Sequence, residues 1–125
     1  MKEQHYLYDG EDVVEISQKV LKQMEYLDYT INLTQSISNF GDICFVTAVS
    51  ELFFFWRTNT TASLTITMVI ERNHIEAYAV ASGAGAGLAN ISWGAYKKIM
   101  KLADEMMINL GFQLLDLPSY AKSVV

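Results

Sequence analysis

Residues 63–71 alternate apolar and polar side chains, which predicts a β-strand with one buried face. The dipeptide Arg72-Asn73 follows, and asparagine tolerates the positive φ angle that a two-residue hairpin turn demands. Residues 74–82 then alternate in the same way. We therefore predict a β-hairpin with strands 63–71 and 74–82.

Counting back from a two-residue loop fixes which residues of this hairpin face each other. On one face, large residues oppose alanines in the pairs Met68–Ala77, Ile66–Ala79 and Leu64–Ala81. A row of alanines lowers one strip of the sheet, so a helix can approach it closely. On the reverse face, Thr67 meets Tyr78 in a mixed surface that suits either solvent or a binding site.

Apolar residues recur at spacings of three and four in two further segments, which predicts two amphipathic helices. The first covers residues 13–27, with Asp9 as its N-cap. The second runs from Trp93 to Leu110, with Ser92 as its N-cap and Gly111 just past its end. Lysines and acidic residues occupy the opposite side of each helix, so we expect each helix to pack by its apolar side and to expose its charged side to solvent.

Other segments have a period of two and predict more strands. Residues 28–38 form one strand, and residues 43–57 form another that is long enough to require a bulge or bend near Ser50 and Glu51. Residues 3–8 are weakly strand-like and could add an edge to the sheet. Leu114, Leu115 and Leu117 predict an extended segment that covers a sheet edge.

These elements predict one α+β domain over residues 1–125, with 119–125 as a loose tail. Its sheet is an antiparallel meander of four to five strands, and the N-terminal and C-terminal helices pack on one face. A chain of 125 residues with 51% apolar composition suits a single core.

The elements follow one another in the order of a helix, a meander, a Ser-Gly loop and a capped helix. In this order the chain resembles a family of small uncharacterised bacterial proteins, known as a domain of unknown function. The segments that carry the resemblance are 39–44 (NFGDIC), 63–67 (SLTIT), 78–83 (YAVASG) and 91–94 (ISWG). The resemblance spans residues 28–107 and implies an α+β architecture. It supplies no functional residues.

Charge and cysteine content exclude several classes of protein. The net charge is −5, and a nucleic-acid binder needs a concentrated basic face, so we expect no nucleic-acid partner. The single Cys44 fits a reducing compartment, and the first residues do not form an export signal, so we expect a cytoplasmic protein. The longest apolar run, residues 43–56, is shorter than the ~20 residues of a membrane span, so we expect no membrane association.

The loop that contains Gly83, Gly85 and Gly87 lies between a strand and a helix, where glycines could cradle a phosphate. No Lys-Ser/Thr follows these glycines, and the preceding strand belongs to an antiparallel hairpin. A simple connector is therefore the favoured interpretation, and we expect no cofactor.

His74, Glu76 and Tyr78 share one face at the hairpin tip, and Glu71 stands opposite His74, which would allow an acid/base pair. A hairpin tip is exposed, and catalytic pairs need shelter to shift their pKa values. The two histidines lie far apart in the sequence, and together with Cys44 they do not match the spacing of ligands in metal-binding motifs. An enzyme thus has the weakest support, and no catalytic or metal residue is assigned.

An excess of bulky apolar residues is the remaining anomaly. Phe53, Phe55 and Trp56 belong to a block that is apolar on both faces, and two helices can cover only one face of the sheet. We predict that a second copy of the chain covers the other face, as a homodimer that includes Tyr78 in its interface. The alternatives are a carrier with an apolar ligand in a pocket lined by Phe53, Phe55, Trp56 and Trp93, or a C-terminal segment folded across the sheet.

Overall fold

A computed structural model describes residues 2–54, 60–83 and 89–115 of the chain. The elements, in chain order, are β1 (Lys2–Asp9), α1 (Val13–Glu25), β2 (Thr30–Phe40), β3 (Ile43–Phe54), β4 (Thr60–Glu71), β5 (His74–Gly83), α2 (Ala89–Asn109) and β6 (Gln113–Leu115). The strands form one antiparallel sheet in the order β2-β3-β4-β5-β1-β6. The predicted α+β class and meander are confirmed, but the described sheet has six strands instead of four to five.

The central hairpin has the predicted register. Met68 faces Ala77, Ile66 faces Ala79 and Leu64 faces Ala81. The turn residue Asn73 has a φ angle of 63°, the positive value predicted for this residue. All three alanines are fully buried, which agrees with close packing over this strip of the sheet.

The strand predicted over residues 3–8 is confirmed as β1, but its suggested position at an edge was wrong. β1 does not form an edge, because it pairs with β5 on one side and with β6 on the other. β6 contains only three residues, and so short a strand leaves almost no periodic signal in a sequence. It includes Leu114 and Leu115 of the predicted extended segment, whereas Leu117 and the predicted tail 119–125 lie outside the described residues.

Helix α1 begins later than the capping prediction placed it. Asp12 occupies the N-cap position, and Asp9 is the last residue of β1. Asp9 is unavailable as a cap because its carboxylate binds His74 at the hairpin tip. The predicted apolar stripe is confirmed at its buried positions, which are Val13, Ile16, Val20 and Met24.

The bend predicted near Ser50 and Glu51 does not interrupt β3, which runs unbroken from Ile43 to Phe54. The register shift lies instead in the neighbouring strand, between Thr30 and Asn32 of β2. Ser50 stays in the strand because its hydroxyl donates a hydrogen bond of 3.0 Å to the backbone carbonyl of Met24. This bond satisfies a fully buried polar group and one of the last carbonyls of α1.

Helix α2 begins at Ala89, so Ser92 lies inside the helix and is not its N-cap. Its C-terminus agrees with the prediction. Gly111 has a φ of 98°, its N–H donates to the Ile108 carbonyl, and the N–H of Phe112 donates to the Met107 carbonyl. These two bonds form a Schellman motif, which buries Phe112 against the last turn of the helix.

Candidate functional site

The two faces of the sheet differ in burial. Along β4, the side chains of Leu64, Ile66 and Met68 are fully buried, whereas the intervening Thr65 and Thr67 are partly exposed. We call the partly exposed side the open face. Its central residues are Phe45, Thr47 and Val49 of β3, Thr65, Thr67 and Val69 of β4, Glu76, Tyr78 and Val80 of β5, and His5 and Leu7 of β1.

Strand register arranges the open face in rows that cross the sheet. The middle row runs Thr47–Thr67–Tyr78–His5 and contains no acid or lysine. In this row the ring of His5 packs edge-on against Tyr78, with 4.7 Å between the ring centroids. His5 is 7% exposed, so β1 contributes a buried polar ring to this face.

One corner of the open face is aromatic. Phe40 and Phe45 are joined edge to face, with ring centroids 5.6 Å apart. Phe40 is 66% exposed and Phe45 is 38% exposed, so much of this apolar surface is in contact with water. Exposed aromatic pairs of this kind are typical of contact surfaces.

A charged cluster marks the end of the open face at the hairpin tip. Nδ1 of His74 lies 2.9 Å from Oδ1 of Asp9, and Nε2 lies 3.5 Å from Oε1 of Glu76. The hydrogen bond to Asp9 is the main cause of a raised His74 pKa, Glu76 adds to it, and partial burial opposes both. The cluster therefore ties the end of β1 to the tip of the hairpin, with the His74 ring between two carboxyl groups.

Of the residues named at the tip, the cluster contains His74 and Glu76, whereas Glu71 faces His74 across the hairpin and Asp9 is an unforeseen member. His74 and Glu76 were predicted from their spacing, but Asp9 lies 65 positions away and no local pattern signals it. The side chains of His74, Glu76 and Asp9 are 30%, 40% and 69% exposed. In such contact with water the cluster can hold two strands together, but it lacks the shelter that general acid/base catalysis uses.

The other predicted site residues do not converge on one described site. Phe53 and Tyr78 both lie on the open face, but they pair with Thr61 and Thr67, six positions apart along β4, or roughly 20 Å. Phe55, Trp56, Gly85 and Gly87 lie outside the described residues, and so does the side chain of Trp93. Gly83 ends β5.

A groove of about 400 Å³ lies beside the last residue of α1 and along β2. Its lining residues are Glu25, Thr30, Ile31, Asn32, Leu33 and Gln35. It is open and largely polar, which differs from the enclosed apolar pocket that a carrier needs. The predicted pocket between sheet and helix therefore gains no support from this groove.

Within residues 2–54, 60–83 and 89–115, no three His, Cys, Asp or Glu side chains are grouped as a metal site. Among the helices described, none combines the length and the apolar character needed to cross a membrane. Searches of curated proteins and of solved structures found no match to the chain. The model of a family of unknown function, DUF6054, matches residues 4–111, and the chain belongs to that family.

Proposed function

We propose that this chain is a non-enzymatic domain that associates with a second copy of itself through the open face. The single observation that carries the proposal is the middle row, Thr47–Thr67–Tyr78–His5, which crosses four strands without an acid, lysine or arginine and whose first three members are partly exposed. A depletion of charge at the centre of a patch distinguishes interfaces from ordinary surface.

Contacts of the two helices support this account. α1 contacts β2, β3 and β4, α2 contacts β1, β4, β5 and β6, and the helices contact each other. Buried side chains of α2, such as Ile99 and Met107, belong to the same core as Leu64 and Ala79. We infer that both helices cover the buried face and leave the open face to a partner.

The open face is large enough for a stable contact. Five strands spaced about 4.8 Å apart, with ten residues rising about 3.3 Å each, span roughly 24 by 33 Å. That area is close to the ~800 Å² that each partner contributes to a standard interface. Among its charged groups, Glu51, Glu71 and Asp9 lie toward the ends of their strands, as the polar rim of an interface does, and Glu76 lies one row from the middle.

Sedimentation equilibrium at micromolar concentration tests the proposal. Wild-type protein should sediment as a species heavier than the 14.1 kDa monomer. Val49→Lys places an ammonium group on the open face beside Thr34 and Thr65 and should dissociate this contact. Val14→Lys is the matched control, because Val14 is 64% exposed on α1, and it should sediment like the wild type.

Two results would overturn the proposal. One is a wild-type monomer, and the other is an assembly that Val49→Lys leaves unchanged. Native mass spectrometry of such a monomer separates the remaining accounts. A co-purified small molecule would favour the carrier, and a bare chain would favour a segment of the same chain folded across the face.

A further inference from the structure

Strand β2 forms one end of the described sheet and has a strand neighbour on only one side. It is 11 residues long, and every residue is exposed except Thr30 and Leu33, which are partly exposed. Ile31 is 62% exposed and Ile37 is 56% exposed. The opposite edge, β6, has three residues, so the two edges of the sheet are very unequal.

Proteins normally protect a long edge strand with lysine, proline, inward charges or a covering element. Residues 30–40 read TINLTQSISNF and contain no charged residue and no proline. A bulge between Thr30 and Asn32 distorts only the N-terminal end of the strand. The remainder of β2 therefore presents a regular, neutral row of backbone donors and acceptors.

The β2–β3 turn identifies the residues whose backbone groups point outward. The loop is Gly41-Asp42, with Gly41 at a φ of 61°, and Phe40 faces Ile43 across it. A two-residue turn of this kind bonds its flanking pair, and bonded pairs then alternate along the ladder. Even-numbered residues of β2 thus bond to β3, and Leu33, Gln35 and Ile37 direct their N–H and C=O groups to the free edge.

We propose that β2 pairs antiparallel with β2 of a second copy, about a two-fold axis at Gln35, and joins two sheets into one. Only a register with Gln35 opposite Gln35, or one offset by an even number of positions, keeps each face continuous across the axis. With Gln35 on the axis, Leu33 of each copy meets Ile37 of the other, and Thr34 meets Ser36. Apolar and hydroxyl pairs of these kinds stabilise antiparallel ladders.

A second copy suits this edge because the strand complements itself in shape and charge. The chain has a net charge of −5, and β2 is a neutral strip through which two acidic copies can approach. The acids nearest to β2 in sequence are Asp28 and Asp42, just beyond the two ends of the strand, and the register brings Asp42 of one copy toward Asp28 of the other. Added salt should therefore strengthen the pairing, because it screens these like charges.

Two substitutions at the axis test the pairing without removing bonds to β3. Gln35→Pro removes the outward N–H, and proline is tolerated on an edge strand when its missing donor faces solvent. Gln35→Lys sets two ammonium groups opposite each other. Ser36→Pro is the matched control, since it removes a donor to β3 and should lower the stability of the fold itself.

Sedimentation equilibrium of five proteins separates this edge contact from the open-face contact: the wild type, Val49→Lys, Gln35→Lys, Gln35→Pro and the double variant of Val49→Lys with Gln35→Lys. The wild type should reach a tetramer, Val49→Lys and Gln35→Lys should each stop at a dimer, and the double variant should be a monomer. If Gln35→Lys and Gln35→Pro form the same assembly as the wild type and Val49→Lys does not, the edge proposal is overturned and the open-face proposal stands. If only the Gln35 variants dissociate, the edge proposal stands and the open-face proposal fails.

Amide hydrogen exchange of the Val49→Lys dimer gives a second, residue-level readout. The amides of Leu33, Gln35 and Ile37 should exchange about tenfold or more slowly at concentrations that favour the dimer than at dilution. The amides of Thr34 and Ser36 should be protected at both concentrations. Fast exchange at Leu33, Gln35 and Ile37 in the dimer would overturn the proposal.

Discussion

The hydroxyl group of Tyr6 donates a hydrogen bond to Oδ1 of Asp104, which joins β1 to α2 across 98 positions of the chain. Tyr6 is fully buried. Burial, reinforced by the Asp104 carboxylate, holds the Tyr6 pKa well above its usual range. This bond anchors the C-terminal helix to a strand near the far edge of the sheet.

Removing that hydroxyl should therefore destabilise the fold. Tyr6→Phe leaves the partly buried Asp104 carboxylate without its donor, and we expect a loss of about 1–2 kcal/mol in the free energy of unfolding. Tyr8→Phe is the matched control, because Tyr8 donates to Asp12 at the exposed surface, and its loss in the free energy of unfolding should be clearly smaller. Urea unfolding of both variants measures the difference, and equal losses would contradict the anchoring role.

The buried alanines of β5, Ala77, Ala79 and Ala81, predict that substitutions at two neighbouring residues will differ in their effect on stability. Ala79 is fully buried in β5, the strand that α2 contacts most extensively, whereas Val80 lies on the open face. Ala79→Leu should lower the free energy of unfolding by about 1–3 kcal/mol, because three extra heavy atoms overpack a close contact.

Val80→Leu should have a smaller effect on the stability of the monomer. Thermal and urea unfolding of the two variants compare them directly. Equal and negligible losses would contradict close packing over the alanine row. A large loss at Val80 that accompanies dissociation would instead identify Val80 as part of the interface between copies.

Much of this fold could be predicted because its central part obeys local rules. A two-residue turn at Arg72-Asn73 fixes the hairpin register, and glycine at position 111 marks the end of α2. In both cases the deciding interaction lies within a few residues of the signal. Alternation within β4 and β5 then gives the burial of their side chains from Ala62 to Ser82 outside the turn.

The errors have a common physical cause, which is competition from distant partners. Asp9 has the sequence of an N-cap but binds His74, 65 positions away. Ser50 has the sequence of a strand break but bonds the carbonyl of Met24 from α1. The absence of charged residues from β2 is visible in the sequence. The position of β2 at the sheet edge, however, follows only from the order of all six strands.

The His74 cluster predicts a pH dependence of stability with a defined sign. The folded-state pKa of His74 is raised by Asp9 and Glu76, so the contribution of the imidazolium is complete below the unfolded value of about 6.5. It is lost as the pH rises through the higher, folded-state value. Wild-type stability should therefore fall from pH 6 to pH 8 relative to that of His74→Gln.

Urea midpoints of both proteins across this range measure the effect. The comparison with His74→Gln cancels the contribution of groups outside the cluster. If the urea midpoints of the two proteins change with pH in the same way, His74 carries no stabilising charge.

The central claim is that the open face is bare in the monomer and covered by a second copy in the assembly. Methyl NMR with a soluble paramagnetic agent measures this directly, and the reporters are Val49, Thr67 and Val80 on the open face. Val14 serves as an exposed control and Leu64 as a buried one. We predict that the open-face methyl signals are broadened like Val14 at dilution and become protected as concentration rises. Signals that stay protected at dilution, or stay broadened in the assembly, would contradict the account.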